Sequence, residues 1–355
     1  MGYGAVSALA YGKANYSPDL PEVGYAGRPN VAGVQSNEGV SRLKLNAQGF
    51  HDTDHSPVKK DDVFRVMVVG NSYSMAVQVD REDGYVARLG DELRACPALA
   101  GREVETINLG VDGYTIHQQF LTYRDYGLKL KPDFVLLQTN AFVVPGDLNP
   151  LQNLSPRLDR DAQGQLSVDY SYMNAPEFAK KASKAAILTQ KASDASRLVQ
   201  YAIQYRRVTS QASPSHAAAP APQEEAKTYE KYRQGRDLAF HELVNLTRAR
   251  NIGLAMTIIP AADSLSDKPF EPEPVRREWA ELASGVDAPF LDVEEEARAH
   301  VRATGFYLHG FGAEAGSGHL NRHGNAFFAK ALAGRLCGMI AQQQMASRGV
   351  TMSMK

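Results

Sequence analysis

The chain has 355 residues, 43% of them hydrophobic, and a formal net charge of -1. That is enough apolar matter for one large core or two ordinary ones, and Lys and Arg are too evenly spread to form the basic stripe of a nucleic-acid binder. No run approaches the roughly 18 apolar residues of a membrane span, and the opening "MGYGAVSALAYGKANYSPDL" lacks both a basic n-region and a sustained apolar h-region, so the chain as given is expected to be soluble. Localisation stays unassigned; it would be periplasmic or secreted if an export signal or anchor had been removed from a longer precursor.

Residues 1–60 are rich in Gly, Pro, Asn and Asp, which predicts an irregular segment packed on a core rather than a domain of its own. The core is expected over 61–345. "FRVMVVG" (64–70) is a short, β-branched apolar run ending in glycine, as in a buried parallel strand. "EVETINLG" (103–110), "DFVLLQT" (133–139), "IGLAMTIIP" (252–260) and a weaker "PFLDV" (289–293) repeat the pattern. Helical spacing appears between them at Tyr85, Leu89 and Leu93, at Phe120 and Tyr123 with Leu128 roughly in step, and at Leu238, Leu243 and Leu246. Phe328, Leu332, Leu336 and Ile340 mark a last helix packed on the sheet. The alternation predicts an α/β fold with a five-stranded parallel sheet.

The stretch 145–250 interrupts this rhythm and is expected to be a helical and loop insert. Its Ala/Ser/Pro-rich piece at 210–226 is expected to be a mobile loop. Cys96 and Cys337 lie far apart in helix-like surroundings, and small buried thiols are expected rather than a disulfide.

In an open parallel sheet, functional groups gather at the carboxyl ends of the strands. The first strand delivers Ser72 in "GNSYS", at the start of a helix where backbone N–H groups favour negative charge; taken alone it reads first as an N-cap or turn serine. The second ends in "NLGVDGY", whose glycines let a backbone N–H approach a ligand, and a plain turn explains them equally. The third ends in Asn140, a side-chain donor that taken alone reads first as an asparagine ending a strand. His319, in "GSGHLN", opens the last helix and taken alone reads as a structural histidine. His117, His309 and His323 have no Cys, Asp or Glu at ligand spacing, so they are read as surface or packing residues; no metal and no cofactor are expected.

Ser, Gly, Asn and His in that chain order, within "VMVVGNSYS", "INLGVDGYTIHQQ", "PDFVLLQTNAF" and "GHLNRHGNAFFAKAL", resemble the SGNH/GDSL hydrolases. "PEVGYAGRPN" and "LNAQGFHD" are similar to the lead-in of bacterial SGNH-type esterases linked to cell-surface carbohydrate. The resemblance implies the flavodoxin-like three-layer α/β/α SGNH hydrolase fold. It implies Ser72 as nucleophile and His319 as base, with Ser72 N–H, Gly113 N–H and the Asn140 side chain as oxyanion hole. The implied activity is hydrolysis of short acyl esters, O-acetyl groups on a carbohydrate first among them. An acyltransferase with the same Ser-His pair stays open, as does a catalytically silent carbohydrate-binding protein. The last is favoured by two departures, Asn71 in place of the usual Asp and Ser317 where the triad's acid is expected. Ser317, Glu314 or a backbone carbonyl are the candidates left to orient His319.

Overall fold

The computed structural model describes residues 23–35, 38–141, 155–181, 183–196, 198–199, 201–202, 205–206, 222–265 and 274–353. Its centre is five parallel strands: β3 (Val63–Val69), β4 (Glu103–Asn108), β5 (Phe134–Asn140), β8 (Gly253–Ile259) and the short β9 (Phe290–Leu291). They lie in the order β4-β3-β5-β8-β9. Counted along the chain this is 2-1-3-4-5, the doubly wound order whose direction reverses beside the first strand. Every residue of β3 and of β5 is buried, which is why both read as continuous apolar runs.

Strand alternation divides those apolar residues between two faces. Met67, Val69, Val135, Leu137, Met256 and Ile258 meet α3 (Ile116–Asp125), α6 (Pro222–Arg248) and α7 (Pro274–Gly285), through Phe120, Phe240, Leu243 and Trp279. Val66, Val68, Phe134, Leu136 and Ala255 meet α2 (Tyr85–Leu93), α8 (Glu294–Thr304) and α9 (Arg322–Ser353). Phe328, Leu332, Leu336 and Ile340 are fully buried in that second layer, one per turn of α9. The molecule is therefore a three-layer α/β/α sandwich.

Three expectations need correction. The N-terminal segment is not irregular throughout, because it carries an antiparallel hairpin of β1 (Ala32–Gln35) and β2 (Ser41–Lys44). Leu43 and Leu45 of that segment pack with Met75 and Val77, next to the end of β3. The 145–250 stretch is not a pure insert either. It holds a small hairpin, β6 (Arg157–Arg160) with β7 (Leu166–Asp169), and the helices α4 (Pro176–Lys181) and α5 (Lys184–Ala195), but α6 belongs to the core layer. Most of the 210–226 piece lies outside the described residues, and from Pro222 onward the chain is helical.

The third correction concerns the cysteines. Cys96, just after α2, and Cys337, on α9, form a disulfide with Cα atoms 5.6 Å apart. Their 241-residue separation hid the pairing. What brings them together is the packing of α9 on α2, which only the folded layer reveals. Among the described residues no helix is long and apolar enough to cross a membrane.

Candidate active site

β3 ends at Val69, and Gly70 and Asn71 lead directly into a one-turn helix, α1 (Ser72–Met75), with Ser72 as its first residue. Asn71 is its N-cap: Oδ1 accepts the Tyr73 N–H at 3.3 Å. The Asn71 amide thus satisfies an orphan donor of the turn. Gln138 on the neighbouring β5 fastens the same turn, since its Oε1 accepts from Asn71 N–H at 3.2 Å and from Ser74 Oγ at 2.8 Å. From the other side, Asn108 at the end of β4 donates Nδ2 to the Ser74 carbonyl at 2.7 Å. A Cβ on Gly110 would lie 2.5 Å from the Met75 nitrogen. That glycine therefore lets the Ser72–Met75 turn pack closely on the end of β4.

His319 arrives on a loop folded back on itself. His309 bridges Leu320, Gly310 N–H donates to the His319 carbonyl at 2.9 Å, and Asn321 N–H donates to the Leu308 carbonyl at 3.0 Å. Asn321 Oδ1 then accepts from Gly324 N–H at 2.9 Å, at the start of α9. So held, His319 Nε2 stands 2.8 Å from Ser72 Oγ. The Tyr73 ring lies against the imidazole, 5.1 Å between centroids.

The partner of His319 is neither Ser317 nor Glu314. Ser317 Oγ turns away and donates to the Glu314 backbone carbonyl at 2.9 Å. Nδ1 instead lies 2.9 Å from both carboxylate oxygens of Glu38, and Glu38 Oε2 also accepts the His319 N–H at 3.2 Å. Glu38 sits in the turn joining β1 to β2, 281 residues away from its partner in sequence. Gly318 makes room for it: its φ is 69°, and a Cβ there would come within 3.3 Å of the carboxylate. With an ionised acceptor on Nδ1, the imidazole proton belongs there, and Nε2 is left to accept from Ser72 Oγ–H. The hydrogen bond from His319 holds the Glu38 carboxyl below its ordinary range, against the opposing effect of its partial burial.

Sequence reasoning missed Glu38, and a signal for it existed. It is the one acidic residue between 23 and 51, and it stands among turn-forming Ser36, Asn37 and Gly39 between two short alternating runs. That pattern reads as a hairpin tip. The N-terminal segment that carries it is fixed to the sheet's functional edge. His51 Nδ1–H donates to the Met75 carbonyl at 2.7 Å, and Asp52 Oδ2 accepts from Asn108 N–H at 2.7 Å.

Gly113 lies in the loop after β4 with φ at 72°, and Asn140 is the last residue of β5, almost fully buried. Both follow strands that flank β3, so they belong to the same edge as Ser72. Asn140 Oδ1 lies 3.4 Å from Gln138 Nε2, which orients the amide. Of the other histidines, His117 and His309 are buried, while His323 is exposed and paired with His300 at 2.8 Å. Burial pushes His117 down to about 3 and His309 to about 4, with the His319 charge adding to the latter. No group of three or more potential ligands for a metal ion occurs among the described residues.

A cavity of about 160 Å³ opens beside Ser72 and His319. Met75 and Val77 give it an apolar part, and Gln35, Gln78, Glu38 and Asp112 a polar one.

No family model and no curated protein sequence matches the chain. Among solved structures, it is similar to an acetyl xylan esterase, AlAXEase, at 16% identity and a TM-score of 0.39, over 76% of this chain and 98% of that one. A catalytic mutant of an acetylxylan esterase from Geobacillus stearothermophilus aligns at 13% identity and a TM-score of 0.40, over 78% of this chain and 94% of that one. A GDSL-like lipase from Bacteroides thetaiotaomicron VPI-5482 aligns at 12% identity and a TM-score of 0.35, over 81% and 92% of the two chains. Likeness at this level carries no residue roles from those proteins to this one.

Proposed function

We propose that the chain is a serine esterase that removes short acyl groups, O-acetyl above all, from a carbohydrate, with Ser72, His319 and Glu38 as its catalytic triad. One observation carries the reading: the continuous hydrogen-bonded path from Ser72 Oγ through the imidazole to a carboxylate, at 2.8 and 2.9 Å. A serine hydroxyl is a poor nucleophile at neutral pH and needs a base within hydrogen-bond reach. As Oγ attacks the ester carbonyl, its proton passes to Nε2, and Glu38 stabilises the imidazolium so formed. The tetrahedral oxygen takes its negative charge toward Ser72 N–H, Gly113 N–H and the Asn140 amide, donors assigned by their place at the sheet edge. His319 then gives the proton to the leaving alcohol. Water repeats the sequence on the acyl-enzyme, giving up its proton to Nε2 and releasing the acid and free Ser72.

Glu38 speaks against a silent binding protein, a reading that drew on Ser317 at the expected acid position as well as on Asn71. The Cys96–Cys337 disulfide fits a protein that works in an oxidising compartment, where such bonds persist. The test is hydrolysis of p-nitrophenyl acetate by the wild type, Ser72→Ala and His319→Ala. Both variants are expected to fall at least a thousandfold in kcat. A wild type no faster than Ser72→Ala would end the enzyme reading.

A further inference from the structure

We infer that His55 is a positioning residue for the nucleophile turn: as an imidazolium it holds Asp52 against the end of β4, and through Asn108 it steadies the turn that presents Ser72. The inference rests on the esterase reading and adds to it an upper limit on the pH at which the nucleophile is held in place.

His55 lies between two carboxylates, with 5% of its side chain exposed. Nε2 stands 2.9 Å from Asp52 Oδ2, and Nδ1 stands 3.2 Å from Glu105 Oε1 on β4. Ionised carboxylates only accept, so both contacts are hydrogen bonds only when both ring nitrogens carry a proton. The site is therefore built for the charged ring. Burial works against that charge, but the hydrogen bonds and charges of Asp52 and Glu105 outweigh it and raise the His55 pKa above its ordinary 6.5. The two acids are not equivalent. Arg65 on β3 pairs with the other oxygen of Glu105, whereas among the described residues His55 is the cation paired with Asp52.

Asp52 is the link to the nucleophile. The oxygen that faces His55 also accepts the Asn108 N–H at 2.7 Å, and Asn108 Nδ2 donates to the Ser74 carbonyl at 2.7 Å. Ser74 lies in the same single turn of helix as Ser72. Three hydrogen bonds thus run in series from the ring to that turn. The raised pKa means that the charged ring is complete below pH 6.5 and is lost as pH rises through the higher, folded value. A neutral ring has one N–H, so it can serve one acid and leaves the other facing a lone pair. Asp52 then loses its cation while Glu105 keeps Arg65, and the hold on Asn108 and the turn weakens. Misplacing a reacting group by roughly 1 Å can cost about 10² in rate, so a partial loosening is enough to register.

Two measurements on the wild type test this. Nitrogen NMR of the imidazoles should show the His55 ring doubly protonated at pH 7 and titrating above 6.5; a ring neutral at pH 7 overturns the inference. With p-nitrophenyl acetate, corrected for spontaneous hydrolysis, kcat should rise as His319 loses its proton and then fall about five- to tenfold across the His55 titration, with KM unchanged. No fall there overturns the inference as well. His55→Gln can still donate to Asp52 but carries no charge and does not titrate. Once circular dichroism shows it folded, it should have the reduced kcat already at neutral pH, the wild-type KM and no alkaline fall. A fall that persists in this variant assigns the titration to another group and overturns the inference, and so does a wild-type kcat at pH 7. A wild type no faster than Ser72→Ala at every pH is a different result: it overturns the esterase reading, and the NMR titration of His55 is unaffected by it.

Discussion

Replacing Glu38 by Gln keeps the shape of the side chain and removes its charge. On the proposed mechanism an imidazolium forms against this carboxylate, and Nδ1 already lies 2.9 Å from each oxygen. Charge centres about 4 Å apart interact by ~1 kcal/mol in bulk water and ~4 kcal/mol at an effective dielectric constant of 20. The side chains of His319 and Glu38 are 25% and 38% exposed, so screening by solvent has to be counted. About 2–3 kcal/mol is then at stake, or roughly a 30- to 150-fold loss in kcat. Glu38→Ala should lose that much. Glu38→Gln should lose more, because its amide can donate to Nδ1 and drive the proton onto Nε2; the corresponding amide substitution in a serine protease costs about 10⁴. Glu38→Asp should recover part of the rate. The assay is steady-state hydrolysis of p-nitrophenyl acetate, with circular dichroism to establish folding. Folded Glu38→Gln with less than a threefold loss would refute the triad. Ser317→Asp alone should raise kcat less than twofold, since Nδ1 already has its acceptor and the side chain at 317 points away from it.

Gly318→Ala places a Cβ at φ 69° and within 3.3 Å of Glu38; it should cost about 1–2 kcal/mol of stability and lower kcat together, and an unchanged kcat would show that Glu38 tolerates displacement. His117 Nδ1 accepts the Leu158 N–H at 3.1 Å, so the folded protein needs this ring neutral. Its folded pKa of about 3 lies below the ordinary 6.5, so the stabilising contribution is complete above pH 6.5 and is lost as pH falls toward 3. Urea melts should show about 3 kcal/mol lost from this group between pH 7 and pH 4, a slope that His117→Gln removes. Reducing the Cys96–Cys337 bond, which closes 241 residues, should cost about 2–5 kcal/mol. The thermal midpoint of the wild type should fall with dithiothreitol, and that of the double Ser variant should not respond; a wild type indifferent to reductant would count against the bond.

Much of the sheet was legible because each strand is local. A run such as Val66-Met67-Val68-Val69 is buried on both faces, and that burial alone dictates its composition. The places of Ser72 and His319 were legible for a related reason, as one follows β3 and the other precedes α9; their roles came only from the resemblance and remain the proposal. The errors share a different cause. Glu38 reaches His319 across 281 positions and Cys96 reaches Cys337 across 241, and neither contact leaves a mark on its neighbours in sequence. Ser317 misled because proximity in sequence stood in for direction: its hydroxyl is two residues from His319 and points elsewhere. The polar start of the chain read as irregular because the alternation flanking the turn-forming residues 36–39 lasts only four residues on each side, and the Gly, Pro, Asn and Asp content around it outweighed that short signal.

That hairpin has little stability of its own, for two short strands are marginal in water. Leu43 and Leu45 against Met75 and Val77 anchor it, a cluster far smaller than either layer of the sheet. On heating, the small cluster is expected to loosen first, so that Glu38 leaves His319 while the five strands still stand. Activity on the proposed ester should then be lost below the melting temperature measured by circular dichroism and return on cooling, and coincident loss of the two would count against this order.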